Sequence, residues 1–337
     1  MAEHDFAVIV GIGNYGMFQR LPGVVEAARE FEEWLVWREG GDVPKSSIKL
    51  VISPENRTWR NPASAQPTVD NVDAAFRVAA RRAFDRKSPR LGRLYIYLVG
   101  HGISPTLSAV PNLEDAALLM ANADEATAGL HVPGQPYANW FRNAKAFEEI
   151  VLFMDCCRDN RPEVAPRLPP FPRRVHPDAN AVRYTYAYST QFFVKSYVRS
   201  VGSSGSRPVF SFALLEGLKG AARREGKITA STLRAYVNNR LSDFLQAEAQ
   251  CPVFSIQSDL EFGGREPATS AMADVRMPVV PAGQLELLDS KLEVIARLES
   301  GASIKLPRGF YKVSGGPEPL YFEVRGYAGE QVKVRST

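Results

Sequence analysis

Cysteine is scarce in this chain of 337 residues: there are three, Cys156, Cys157 and Cys251. So low and odd a count does not make a disulfide framework and fits a reducing compartment. Long apolar runs are missing as well. The longest, such as residues 94–100, are far too short to span a bilayer, and no apolar signal core follows the first five residues. These absences predict a soluble, cytoplasmic protein that makes no membrane contact. Charge of one sign is not in excess, since 41 Lys and Arg against 37 Asp and Glu leave +4. That balance is too weak and too evenly mixed to argue for a nucleic-acid partner. Histidine is rare too. His4, His131 and His176 are scattered and read as surface residues, not ligands, and nothing has EF-hand spacing, so no metal or cofactor is expected.

What is present is an alternation. Residues 6–10, 48–52, 94–99, 150–154 and 184–188 are short apolar runs that read as buried parallel strands. Helical spacing of apolar residues falls between or after them, at 23–38, 68–84, 139–147, 209–221 and 230–245, and a last short strand is expected at 253–256. The order predicts an α/β fold, a mostly parallel sheet flanked by helices. Six prolines between 162 and 177 forbid helix or central strand there and leave an exposed basic loop. Residues 265–282 are rich in Gly, Pro and Ala and read as a linker. Beyond them, alternating apolar pairs punctuated by glycine predict a small all-β module, 283–337, resembling a sandwich. The first domain is then 1–264.

One motif points the wrong way. Gly11, Gly13 and Gly16 follow a strand and match the dinucleotide fingerprint of a nucleotide-dependent oxidoreductase. That fingerprint needs a helix opening on the third glycine and an acid ending the second strand. Here Pro22-Gly23 intervene, and the strand ends in Ser53-Pro54.

The chemistry is expected at two strand ends. Gly100-His101-Gly102 follows the third strand and Asp155-Cys156-Cys157-Arg158-Asp159 the fourth. Ligands of open α/β sheets bind at the carboxyl ends of the strands, so neighbouring strands would bring His101 and Cys157 within reach. A thiol is only partly ionised at neutral pH, and an imidazole beside it takes its proton. The amides of Gly102 and Cys157 are candidates for an oxyanion hole. Strand alternation directs Asp155 and Cys157 to one side and Cys156 to the other, which makes Cys157 the nucleophile and Cys156 a packing residue.

These residues resemble the caspase and metacaspase superfamily. Residues 6–35 look like its opening, 94–102 like its histidine strand, and 150–159 like its cysteine strand, where metacaspases often carry Asp-Cys-Cys. Ala187-Tyr188-Ser189-Thr190, followed by Ser196-Tyr197, looks like the segment lining the substrate groove. The resemblance spans residues 5–262 and implies a cysteine endopeptidase acting on protein or peptide substrates as a regulated effector in defence or cell death. The positions that select aspartate in caspases are Leu21, Val198 and Asp155 here, with Arg20 and Arg199 each one residue away. An acid at position 155 implies, as in metacaspases, cleavage after Arg or Lys. The second metacaspase acid falls on Ala27, with Glu26 beside it. The resemblance further implies self-processing in loop 161–178, at Arg173-Arg174, and leaves calcium, used by some metacaspases, unreadable. A catalytically silent interaction module is the competing function, and the C-terminal module is a candidate site for a regulatory protein.

Overall fold

The computed structural model describes residues 2–55, 57, 59, 61–85, 92–105, 116–124, 130–161, 163–190, 198–200, 206–244, 252–263, 272–280, 284–289, 293–307, 309–316, 319–324 and 331–334. The chain opens with β1 (Phe6–Gly11), α1 (Val24–Val36), β2 (Ile48–Ile52), α2 (Val69–Phe84) and β3 (Arg93–Val99). Short strands β4 (Gly102–Ser104), β5 (Ala117–Leu119) and β6 (His131–Pro133) lead to α3 (Gly134–Asn143) and β7 (Glu149–Asp155). Then come β8 (Asp159–Asn160), β9 (Arg183–Tyr188), β10 (Val198–Ser200), β11 (Ser206–Pro208) and α4 (Val209–Glu216). The first part closes with β12 (Ile228–Thr229), α5 (Ala230–Phe244), β13 (Val253–Ile256) and β14 (Glu261–Phe262).

Among the described residues the central sheet has six strands in the order β13-β9-β7-β3-β1-β2. All its pairs are parallel except that of β13 with β9. The expected α/β class, a mostly parallel sheet covered on both faces, is therefore the observed one. Alternation along each strand divides the core. Val8, Ile96, Leu98, Leu152 and Met154 pack with α2 and α3, whereas Ile9, Tyr97, Val99, Val151 and Phe153 pack with α1, α4 and α5. Burial on both faces is why these strands read as unbroken apolar runs.

Helix α3 starts earlier than its expected 139–147, at Gly134, and ends at Asn143. Pro136 falls in its first turn, where the missing N–H has no helical partner to lose. The helix expected at 209–221 is α4 up to Glu216 and continues as a wider π turn to Ala221.

The C-terminal module contains β15 (Ala273–Arg276), β16 (Gln284–Leu288), β17 (Val294–Glu299), β18 (Ser303–Leu306), β19 (Gly309–Ser314), β20 (Leu320–Val324) and β21 (Gln331–Lys333). They form two sheets, β18-β15-β21 and β17-β16-β19-β20, around Val275, Leu285, Leu287, Leu306, Val313 and Val324. Strand β15 corrects the expected linker 265–282. It pairs with β18 and β21, so the module begins ahead of residue 283. Its four residues alternate buried and exposed, a signal too short to stand out among the surrounding Gly and Pro. The module rests on the first part through Arg240 of α5, whose guanidinium lies 3.3 Å from the ring centre of Tyr321 on β20.

Candidate active site

Strands β3 and β7 are neighbours with Val99 opposite Asp155. The two segments stay together beyond the sheet. Gly100 N–H donates to the Asp155 carbonyl at 3.1 Å, and β4 pairs in parallel with β8, Ile103 opposite Asp159. The residue offset is the same before and after the gap, and carried across it pairs position 101 with position 157. Gly102 lies hard against the second segment. A Cβ on it would come within 2.5 Å of the Cys157 carbonyl oxygen and 2.7 Å of Cys156 Sγ, so only glycine allows this approach.

His101 is held from the loop after β1. Its Nε2–H donates to the Gln19 carbonyl at 2.8 Å, which leaves Nδ1 as the nitrogen free to accept a proton. Its backbone N–H donates to Tyr15 Oη at 2.7 Å. The imidazole also meets the Tyr15 ring edge-on at 4.8 Å and the Phe18 ring at 5.8 Å, centre to centre. Burial pulls the His101 pKa below its usual value, with the Gln19 carbonyl and Asp159 opposing, so the imidazole is neutral at pH 7.

The two cysteines differ sharply. Cys156 is buried in the core under α2 and α3, and burial, aided by Cys157 and Asp155, pushes its thiol well above the ordinary range. Cys157 is half-exposed. The segment behind them is pinned by a contact between the two quoted motifs. Arg158 is buried, donates from Nη1 to the Thr190 carbonyl at 3.1 Å and lies over the Tyr188 ring.

The expected substrate-binding residues are only partly gathered. Asp155 is buried, and its Oδ2 accepts from Ser211 N–H at 2.9 Å and Ser211 Oγ at 2.7 Å. It thus sits at the first turn of α4, where a carboxylate is favoured. Ser189, expected in the groove, is fully buried, and its Oγ donates to the Cys156 carbonyl at 3.2 Å. It supports the cysteine segment from behind. Leu21 is half-buried, and Glu26 is exposed in the first turn of α1. Val198 pairs with Pro208 across β10 and β11. Gly23, at φ 77°, lets α1 start directly on that hairpin, because the Ser206 carbonyl occupies the place of any Cβ. The start of α1, beside Leu21, and α4, which holds Asp155 through Ser211, both meet β11. Tyr197 and Cys251 lie outside the described residues.

Loop 161–178 is tied down over part of its length. Arg167 forms an ion pair with buried Asp73 at 2.5 Å, and Phe171 packs against Tyr137, Trp140 and Phe141. Trp140 Nε1–H donates to the Pro172 carbonyl at 3.1 Å. Arg173 and Arg174 are exposed just beyond, Arg174 lying over the Phe84 ring at 4.1 Å.

The glycine loop does not present its amides to a ligand. Gly13 and Asn14 N–H both donate to Ser53 Oγ at 3.0 Å, and Gly16 N–H donates to the Ala121 carbonyl at 2.8 Å. Helix α1 begins well past Gly16, at Val24. Both findings oppose a phosphate cradle. Of the three scattered histidines, His131 is fully buried in β6, against the surface position expected, while His4 and His176 are exposed. Among the described residues no three His, Cys, Asp or Glu lie close enough to hold a metal ion, and no helix is long and apolar enough to cross a membrane.

No protein-family model matches the chain. A probable protease of a Desulfuromonadales bacterium is 25% identical over 314 residues, which cover 88% of this chain and 37% of that protein. The chain is similar in sequence to a probable protease. It spans little more than a third of the length of that relative. Among solved structures, caspase-1 from Spodoptera frugiperda aligns with a TM-score of 0.48 at 15% identity, over 80% of this chain and 93% of that one.

Proposed function

We propose that the chain is a cysteine endopeptidase that cleaves proteins with a His101–Cys157 dyad. The observation that supports this reading is the constant offset between β3–β4 and β7–β8, which pairs position 101 with position 157, beside an imidazole whose Nε2–H is taken by the Gln19 carbonyl and a half-exposed Cys157. In the first step the Cys157 thiol gives its proton to His101 Nδ1, and Sγ bonds to the scissile carbonyl carbon. The amides of Gly102 and Cys157 receive the oxyanion. The imidazolium returns the proton to the departing amine, the C–N bond breaks, and water then releases the acyl group from sulfur.

For specificity we propose cleavage after Arg or Lys. Asp155 and Glu26 are the acids proposed for the S1 region, with Leu21 beside them; Val198 and Tyr197 are the further residues expected to contact substrate, and Tyr197 lies outside the described residues. Oδ2 of Asp155 is shared with Ser211, so the attraction is moderate. A panel of fluorogenic peptides differing at P1 should show kcat/KM for Arg above that for Asp by about tenfold or more. Faster turnover after Asp would reject basic selectivity. A clear preference for Leu would assign the pocket to Leu21 and Val198 alone. No turnover, together with no labelling of Cys157 by a peptide electrophile, would favour the silent interaction module.

The exposed Arg173-Arg174 pair follows the anchored stretch Arg167–Pro172, an arrangement that would hold a cut loop in place. Self-processing there is expected to appear in intact-mass spectra of active protein and to vanish in Arg173→Gln/Arg174→Gln. A loop that stays whole in fully active enzyme would refute it. A cytoplasmic effector role, and a regulatory partner on the C-terminal module, complete the proposal.

A further inference from the structure

The loop between β1 and α1 does more around His101 than supply the Gln19 carbonyl. Tyr15 is buried, its hydroxyl is the acceptor for the His101 backbone N–H, and its ring is edge-on to the imidazole. Phe18 packs against both rings, 6.1 Å from Tyr15 and 5.8 Å from His101. The hydroxyl also fills the space where a Cβ of residue 100 would sit, so Gly100 and Tyr15 are matched. Resting on the peptidase reading, we propose that Tyr15 and Phe18 are positioning residues: Tyr15 fixes the backbone of the catalytic histidine, and the two rings shield its imidazole from water.

The shield has a direction. Water stabilises imidazolium more than imidazole, so its removal keeps the ring neutral and able to accept a proton at lower pH. The titratable groups around the imidazole are Asp159 on β8, which acts on it directly, and Tyr15 on the loop, whose own neighbours are Cys156 and Cys157 on the segment after β7. Asp159 favours the charged form and burial outweighs it. Tyr15 does not titrate near neutrality, because burial raises its phenol further. The aromatic pair therefore widens the pH range of activity on the acid side.

The two residues separate in experiment. Tyr15→Phe keeps the ring and removes the acceptor. Its kcat is expected to fall about 10- to 100-fold with KM little changed, because the His101 N–H loses its partner and the imidazole its register. Phe18→Ser keeps the acceptor and admits water. In a Cys157→Ala background, where the imidazole titrates without its thiol neighbour, NMR titration of His101 should give a midpoint below the usual 6.5. Phe18→Ser should move that midpoint up by about half a unit or more, and Phe18→Leu should restore most of the shift. Unchanged midpoints in Phe18→Ser would overturn the shield, and unchanged kcat in Tyr15→Phe would overturn the positioning role. The titration needs no turnover, so it decides the shield even if the parent protein cleaves no peptide, an outcome that would instead reject the peptidase reading.

Discussion

Cys157→Ala is expected to lower kcat/KM on a cleaved peptide by at least about a thousandfold, and His101→Ala by a similar factor. Cys156→Ala should stay within about tenfold of the parent. The contrast follows from surroundings, not sequence, since the two thiols are adjacent. Cys156 is buried in the core cluster shared with β7, α2 and α3, and its proton is held tightly by burial. A thiol that does not ionise does not attack. Its replacement removes one buried sulfur at a cost of roughly 1–2 kcal/mol, which shifts stability and leaves the dyad in place. Cys157 is half-exposed, in register with position 101, and beside Gly102, whose missing Cβ lets the two segments touch. Kinetics on the three variants, with labelling by a peptide electrophile, check this. Equal losses in the two cysteine variants would mean that the nucleophile had been assigned on the wrong side of the strand. Full activity in His101→Ala would remove the dyad altogether.

Much of this arrangement was legible because the central strands obey one simple rule. Runs such as Leu94 to Val99 are buried on both faces, so they are apolar throughout and bounded by glycine or a charged residue. Neighbouring third and fourth strands are expected to end with His101 and Cys157 at one sheet edge, and β3 and β7 are neighbours. What was not legible acts through backbone or burial. The Gln19 carbonyl is a main-chain atom, and any residue there would offer it. Tyr15 was hidden inside a glycine motif that pointed to nucleotides. Ser189 stands in a motif position associated with substrate, yet it bonds the Cys156 carbonyl from behind, and Asp155 divides its carboxylate with Ser211 of α4. Motif spacing gives the place of a residue along the strand but not what its side chain finds there. The same limit hid β15, whose pairing partners β18 and β21 are distant in sequence.

Arg240→Met is expected to be the most destabilising single exchange, costing about 3–5 kcal/mol. Arg240 is buried and meets Glu216 through Nε at 2.7 Å and Nη2 at 3.3 Å, with Tyr236 Oη donating to the same carboxylate at 3.3 Å. Without the guanidinium, a carboxylate would remain in the core with only Tyr236 and a more distant Lys219 to offset it. Burial already raises the Glu216 pKa, against the pull of Arg240. In the variant that pKa must rise further. The folded state then prefers the protonated acid, so the lost stability returns as pH falls through the new folded pKa and is absent above it. Urea midpoints at pH 7 and pH 5 should therefore converge toward the parent at the lower pH. The double exchange Glu216→Leu/Arg240→Met should recover most of the loss, because an apolar pair of similar size replaces a buried ion pair at little cost. It should not recover all of it. The guanidinium also stacks on Tyr321, a contact worth up to about 2 kcal/mol when shielded from water, and this one ties α5 to the C-terminal module. A residual coupling between Arg240 and Tyr321 in a double-mutant cycle would measure that tie directly. A cycle that closes to zero would leave the module resting on the first part without help from this stack.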